Sequence, residues 1–371
     1  MSFGMKFGKQ ALMAGLVSVI SIAGAQRADA DEIRYATLVS NGHTGVQDAV
    51  LPFFEQVSKA TNGELTGRVF PSGQLLNARG TLKGINEGVA DAGLVIPHYA
   101  ASQLPHVLAL ADMIMIGEDP LAVAAALNET ILFDCETCLK EYEAQNTFPL
   151  VSYSTTSYVL QCNKPLNSKE DLKGLRVRST GMFSSRLSAL GALPTNLASS
   201  ESAQALQRGQ VDCVLGPMSW LKAYGLQGSV SHIIDVPLGM VRGLGLFVIN
   251  KNKWTEMPKA QRQAMLDAAP GMLAGVMFGQ PREDREQVIW AKENNVDISE
   301  GSDELRASLT VSDKDDDILA ERAEKLGVKN IDELVATFKK NLEKWQGIVA
   351  KTGDDKAAYI DAVKREIYSR L

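Results

Sequence analysis

One pattern of residues occurs twice in this chain and restricts its fold more than any other. From Leu82 to Leu94 the sequence reads as a helix ended by Gly88, then Val89-Ala90-Asp91 leading into a strand. From Ala203 to Leu215 it reads the same way, with Gly209 as the stop and Gln210-Val211-Asp212 before the strand. A proline-containing segment lies upstream in each copy, Phe70-Pro71 in the first and Leu193-Pro194 in the second. Repeated strand, helix and strand units imply parallel pairing through right-handed crossovers, so the duplication predicts two α/β lobes. Ligands of such sheets sit beyond the carboxyl ends of the strands, which places one ligand in the cleft between the lobes. Asp91 and Asp212 could be imagined as an acid and base pair. Their equivalent places argue instead for a structural task, bonding backbone at the start of a strand.

Composition sets the boundaries. The chain has 371 residues, more than an average domain of ~150, so two cores are expected. Lobe one is expected over 31–149 and lobe two over 150–250, with the crossing on the β-rich run Leu150 to Cys162. The segment 251–371 reads as helical, because Lys259 to Phe278, Arg282 to Asn294 and Ile331 to Val349 carry apolar residues at three and four spacing. The run Ser312-Asp313-Lys314-Asp315-Asp316-Asp317 is expected to be a solvated loop or helix start; calcium binding lacks the EF-hand spacing and distal Glu.

Just before the second unit, Leu175-Arg176-Val177-Arg178 alternates apolar and basic residues with the period of a strand. One arginine can therefore leave the strand end and offer two parallel donors to a carboxylate, which lysine cannot do. The alternative from spacing alone is a pair of solvated edge charges.

The N-terminus predicts the compartment. Lys6 and Lys9 precede an uncharged run from Ala11 to Ala25, and Ala28-Asp29-Ala30 offers the small residues that a signal peptidase reads. The run is shorter than the ~20 apolar residues a membrane span needs. Export with cleavage near Ala30 is expected, giving a signal peptide over 1–30 and a periplasmic mature protein; Ala23-Gly24-Ala25 is a second possible site. Cleavage removes Lys6, Lys9, Arg27 and Asp29, a net +2, so the formal charge moves from −6 to −8. An acidic surface argues against nucleic acid or anionic membrane as partner.

Exported cysteines can pair. Cys135 and Cys138 form a CxxC for which no second CxxC, clustered histidine or thioredoxin-like context exists, so a local disulfide at a helix end is expected. Cys162 and Cys213 lie on two predicted strands of lobe two, and neighbouring strands bring Cα atoms within the ~4.4–6.8 Å that a second bridge requires. No Gly-x-Ser-x-Gly, His-Glu-x-x-His, Walker loop or Gly-x-Gly-x-x-Gly is present. No catalysis, metal or other cofactor is expected, and an enzyme ranks behind two binding functions.

A broader pattern runs through Ile33-Arg34-Tyr35-Ala36-Thr37, Val69-Phe70-Pro71-Ser72-Gly73-Gln74-Leu75, Gly88-Val89-Ala90-Asp91 and Asp171-Leu172-Lys173-Gly174-Leu175-Arg176-Val177-Arg178. It continues through Leu190-Gly191-Ala192 and Pro194-Thr195 to Phe247-Val248-Ile249-Asn250-Lys251-Asn252-Lys253-Trp254 and Pro258. In this ordered set the chain resembles the DctP-type substrate-binding proteins of tripartite ATP-independent periplasmic (TRAP) transporters. The resemblance implies a two-lobed periplasmic binding protein fold, type II-like, with mixed sheets, crossover helices and a helical C-terminal region that returns across both lobes. Trp345 would be a packing anchor there. It also implies capture of a small organic acid by a monomer that serves the membrane subunits of such a transporter; a periplasmic module that senses the ligand and signals to a receptor is the alternative.

In the family pattern Leu-Lys-Gly-x-x-x-Arg the carboxylate-clamping arginine falls on Arg178, and Arg176 takes the variable, solvent-facing place. The loop with Ser40 and Asn41 sits where the family places polar contacts from lobe one. Those two residues either bond the ligand or cap the helix starting near Thr44. His43 reads as a capping or surface residue. Tyr158 stands where several relatives place a second arginine. Ile96 and Tyr99 replace charged groups of sialic-acid binders, Ser199 replaces a frequent Phe, and Gly216 replaces an Asn and is expected to open room beside Trp220. Met218 and Trp220, with Phe247 on the far strand, would border the cleft. These departures predict a monocarboxylate with an apolar or aromatic body, and disfavour dicarboxylates and sugar acids.

Overall fold

The computed structural model describes residues 1–4, 31–310 and 314–371. The expected export signal and its cleavage site at Ala30 lie outside the described residues, as do Ser312 and Asp313 of the charge run. No helix among the described residues is long and apolar enough to cross a membrane.

Among the described residues eleven strands form two mixed sheets: β1 (Asp31–Ala36), β2 (Leu65–Phe70), β3 (Ala92–Val95), β4 (Thr147–Tyr153), β5 (Val159–Cys162), β6 (Arg176–Arg178), β7 (Leu193–Thr195), β8 (Cys213–Gly216), β9 (His232–Ile234), β10 (Leu244–Asn250) and β11 (Asp297–Ser299). Sheet one runs β2-β1-β3-β10-β4 and sheet two runs β11-β9-β5-β8-β6-β7. The predicted duplication is visible in the pairing. β1 is parallel to β2 and β3, and β6 is parallel to β7 and β8, while β10 and β5 add antiparallel to β3 and β8. In both units the helix stops at a left-handed glycine, Gly88 at φ 74° and Gly209 at φ 64°, a conformation that a Cβ would strain. The aspartates then do as expected: Asp91 accepts from the backbone N of Arg34 at 2.8 Å, and Asp212 from that of Arg176 at 3.0 Å. Each also holds that arginine's side chain, at 2.9 Å and 2.6 Å respectively. Pro194 is tolerated because β7 is an edge strand.

Sheet membership moves the expected boundaries. β4 belongs to sheet one through Tyr153, so sheet one extends past 149 and the chain passes between the sheets at 154–158, inside the run Leu150 to Cys162 expected to carry the crossing. It returns before Leu244, because β10 pairs with β3 and β4, so sheet two does not extend to 250. The two helices expected on either side of Pro281 are one, Lys259–Glu293, which carries Pro270 and Pro281 in its interior. Asp315 of the charge run starts helix Asp315–Lys325 and pairs with the buried Arg186 at 2.8 Å, so that end of the run is tied down and not merely solvated. Trp345 is fully buried in helix Ile331–Thr352 and donates Nε1–H to Glu129 at 2.7 Å. Both disulfides are present: Cys135–Cys138 at the start of helix Glu136–Ala144, and Cys162–Cys213 directly opposite each other on β5 and β8 with Cα atoms 4.0 Å apart.

Candidate functional site

The carboxyl ends of β1, β3, β6 and β8 converge on a small, partly open cavity with a free volume of about 40 Å3. Arg178, the last residue of β6, reaches it with a relative exposure of only 2 %. Its Nε and Nη2 donate to the Leu197 carbonyl at 3.0 and 2.8 Å, and Nη2 donates to the Tyr99 hydroxyl at 3.1 Å. Its guanidinium carbon lies 5.1 Å from the Trp220 ring centroid. Among the described residues no carboxylate pairs with it. Arg176 points to the other face of β6, is half-exposed and is held by Asp212, as strand alternation requires.

Aromatic rings back this cation. Tyr158 stacks on Phe183 at 4.9 Å, and Trp220 meets Tyr224 edge-on at 4.8 Å. Burial pushes the hydroxyls of Tyr153, Tyr158 and Tyr224 far above the ordinary phenol range, so all are neutral donors at neutral pH. Ser199 links two tyrosines: its backbone N donates to the Tyr99 oxygen at 2.9 Å and its Oγ to the Tyr224 oxygen at 3.0 Å. His43 lines the cavity with burial pushing it down to about 4, so it is neutral. Its Nδ1 accepts from Gly45 N at 2.9 Å, which leaves the ring proton on Nε2.

The two sheets meet around this cavity. Tyr99, from the turn after β3, accepts from Arg178 and Ser199 of the other lobe. Asp112, at the end of helix Pro105–Ala111, accepts from Met182 N at 2.9 Å across the cleft and from Arg322 at 2.6 Å. His98 Nε2 lies 3.3 Å from the same carboxylate. Burial alone would raise Asp112; His98 and Arg322 outweigh it and hold the carboxyl below its ordinary value. On the far side, helix Lys259–Glu293 grips both lobes. Glu283 accepts from the Thr44 hydroxyl and Asp284 from Ser219 N at 2.6 Å.

Of the residues named from sequence, Arg178, Tyr158, Tyr99, Ser199 and Trp220 line the cavity together. Four placements differ. Phe247 is fully buried under sheet one, 5.4 Å from Tyr35 and 5.0 Å from Phe53, because a bulge between Gly245 and Val248 breaks the alternation of β10. Ser40 and Asn41 do not line the cavity: the loop turns outward, Asn41 is exposed, and its carbonyl accepts from Gln47 at 2.7 Å. Gly216 opens no room, since a Cβ there would stand 2.2 Å from the Trp220 ring that already fills the space. His43, expected only to cap or face solvent, both caps and lines. Tyr153, Tyr224 and Gln280 were not anticipated. Tyr224 follows Trp220 by one helical turn and was in principle legible; Gln280 comes from a distant helix and carries no local signal.

Three comparisons bear on this arrangement. Residues 35–310 match the family described as bacterial extracellular solute-binding protein, family 7, DctP. The C4-dicarboxylate-binding periplasmic protein DctP of Rhodobacter capsulatus is 27 % identical over 64 % of this chain and 71 % of its own. A TRAP solute-binding protein of Rhodoferax ferrireducens, solved with copurified benzoate, superposes with a TM-score of 0.74 at 19 % identity, covering 86 % of this chain and 99 % of that one. A sugar-acid-binding protein of Advenella mimigardefordensis, solved with galactonate, gives 0.70 at 18 % identity, covering 85 % and 99 %.

Proposed function

The chain belongs to bacterial extracellular solute-binding protein family 7, and we propose that it captures a monocarboxylate with an apolar or aromatic body for the membrane subunits of a TRAP transporter. It is a binding protein, not an enzyme. The observation that carries the ligand class is the buried Arg178 guanidinium, which faces the cavity with no carboxylate partner among the described residues. A buried cation without a counter-ion costs several kcal/mol, and an anionic ligand supplies what is missing.

The relatives are described with a C4-dicarboxylate, benzoate and galactonate, and the lining of the cavity supports a monocarboxylate among these classes. A second carboxylate would meet neutral tyrosines and a neutral His43 where it needs a cation. A sugar acid would need more free polar groups, and Ser199, Thr155 and Gln280 already bond the protein. A compact acid with one charge and a body packed on Trp220 and Tyr158 fits best. In this reading the exported protein, cleaved near Ala30, works as a monomer whose two lobes close on the ligand.

A thermal-shift screen of organic acids, followed by calorimetry on protein freed of copurified ligand, tests this. Compact monocarboxylates should raise the melting temperature in proportion to the logarithm of concentration above Kd. Succinate, malate and sialic acid should not, and tight binding of any of the three overturns the monocarboxylate reading while leaving the transport assignment standing.

A further inference from the structure

The cavity presents more hydroxyl protons than its own walls use. Tyr99 and Tyr224 are braced: the Tyr99 oxygen accepts from Arg178 Nη2 and Ser199 N, and the Tyr224 oxygen accepts from Ser199 Oγ. This network ties both phenols to the guanidinium, on the side where a carboxylate pairs with Arg178, and leaves their protons to point at that carboxylate. Tyr153 and Tyr158 differ. Their rings line the same cavity, neither hydroxyl is hydrogen-bonded to a described residue, and neither oxygen is sealed off from the cavity's free space. Hydroxyls open to a cavity are bonded by water until an occupant arrives, and an occupant that bonds both replaces that water without losing hydrogen bonds.

The walls say what that occupant's second polar group is. It is not a second carboxylate, because Arg178 is the one Lys or Arg side chain lining the cavity among the described residues. It is not an ammonium, because no Asp or Glu lines the cavity there either. Neutral phenols bond a neutral oxygen well, as donor to a keto group or as donor and acceptor to a hydroxyl. Tyr158 packs 5.5 Å from the Trp220 ring that lies 5.1 Å from the Arg178 guanidinium carbon, and the arginine's charge opposes the rise that burial imposes on that phenol, so the group it bonds stays close to the carboxylate.

Resting on the monocarboxylate reading above, we propose that Tyr153 and Tyr158 make the site selective for acids with a neutral oxygen on the carbon next to the carboxylate, 2-hydroxy or 2-keto acids, over the unsubstituted acids. The two tyrosines act on specificity; Arg178 supplies the charge.

Calorimetry on ligand-freed mature protein with matched pairs tests this: lactate against propionate, 2-hydroxyisocaproate against 4-methylpentanoate, and mandelate against phenylacetate. In the best-binding pair the hydroxy acid should bind tighter by at least ~10-fold. The Tyr153→Phe, Tyr158→Phe double variant, shown to be folded by its circular dichroism and cooperative melting, should reduce that ratio to within ~3-fold, whatever its affinity for the unsubstituted acid. Equal affinity within every pair, no binding of any hydroxy acid, or an undiminished ratio in the double variant overturns the proposal. Tight succinate binding strikes the monocarboxylate reading instead, so the two failures are distinguishable.

Discussion

Replacing Arg178 by lysine keeps the charge and removes the fork. In the structure Nε and Nη2 are spent on the Leu197 carbonyl and the Tyr99 hydroxyl, which fixes the guanidinium plane against Trp220 and leaves Nη1 for a ligand. A lysine ammonium cannot hold Leu197, Tyr99 and an anion in one plane, so it either keeps the wall or meets the carboxylate off axis. A charge-assisted hydrogen bond of this kind is worth about 1.5–3 kcal/mol, which is roughly a 10- to 150-fold increase in Kd. The ligand-free fold should survive, because the positive charge stays in place. Arg176→Lys is the control: Arg176 lies on the outer face of β6, half-exposed and paired with Asp212, and its change should move Kd by less than ~2-fold. Isothermal titration of both variants with the tightest acid from the screen decides the matter. A larger loss in the Arg176 variant would show that the clamp has been assigned to the wrong arginine.

Gly216→Ala places a methyl 2.2 Å from Trp220 Cε3, so the ring must leave its seat over Arg178; binding should fall by at least ~10-fold with a shift in tryptophan emission, and unchanged affinity would remove Trp220 from the site. Mass spectrometry of unreduced periplasmic protein should find Cys135 linked to Cys138 and Cys162 to Cys213, as paired in the structure; alkylation of two or more cysteines without reductant contradicts at least one bridge. Asp112 is held below its ordinary value, so the stability it contributes is complete above the unfolded aspartate value near ~3.9 and is lost as pH falls through the lower folded one. Denaturant titrations of wild type and Asp112→Asn should therefore converge toward pH 3 and separate above pH 5; a constant difference across that range refutes the role of its charge.

The duplicated helix, glycine and aspartate units were legible because each device is local: a left-handed stop at Gly88 or Gly209 and a carboxylate three residues later that bonds the neighbouring strand. The strand that returns from one sheet to the other was not. Leu244–Asn250 reads like any buried strand, and only pairing with β3 and β4, far away in sequence, assigns it to sheet one. Arg178 was found through alternation on a short strand and a family pattern, whereas Phe247 was misplaced because a bulge that leaves no sequence signature turns it inward. Apolar spacing marked two separate stretches, Lys259 to Phe278 and Arg282 to Asn294, yet one helix runs through Pro281, packed along much of its length against both lobes.

The absence of a carboxylate beside Arg178 also bears on how binding and closure are linked. With the lobes apart, the guanidinium can be hydrated. With the lobes together, Tyr99 and Ser199 seal it at 2 % exposure, and without an anion that closure buries an uncompensated charge at a cost of several kcal/mol. Moving a two-state equilibrium from about 1:99 to 99:1 takes ~5.5 kcal/mol of differential affinity, which is the scale of that burial cost. If Arg178 is the clamp proposed above, a carboxylate partner from the protein would remove the penalty and let the empty lobes close, and closure would then depend on the counter-ion that only the ligand brings. On the proposed reading the same residue sets which molecules bind and when the lobes shut, and the neutral tyrosines around it add recognition without supplying a charge that could substitute for the ligand.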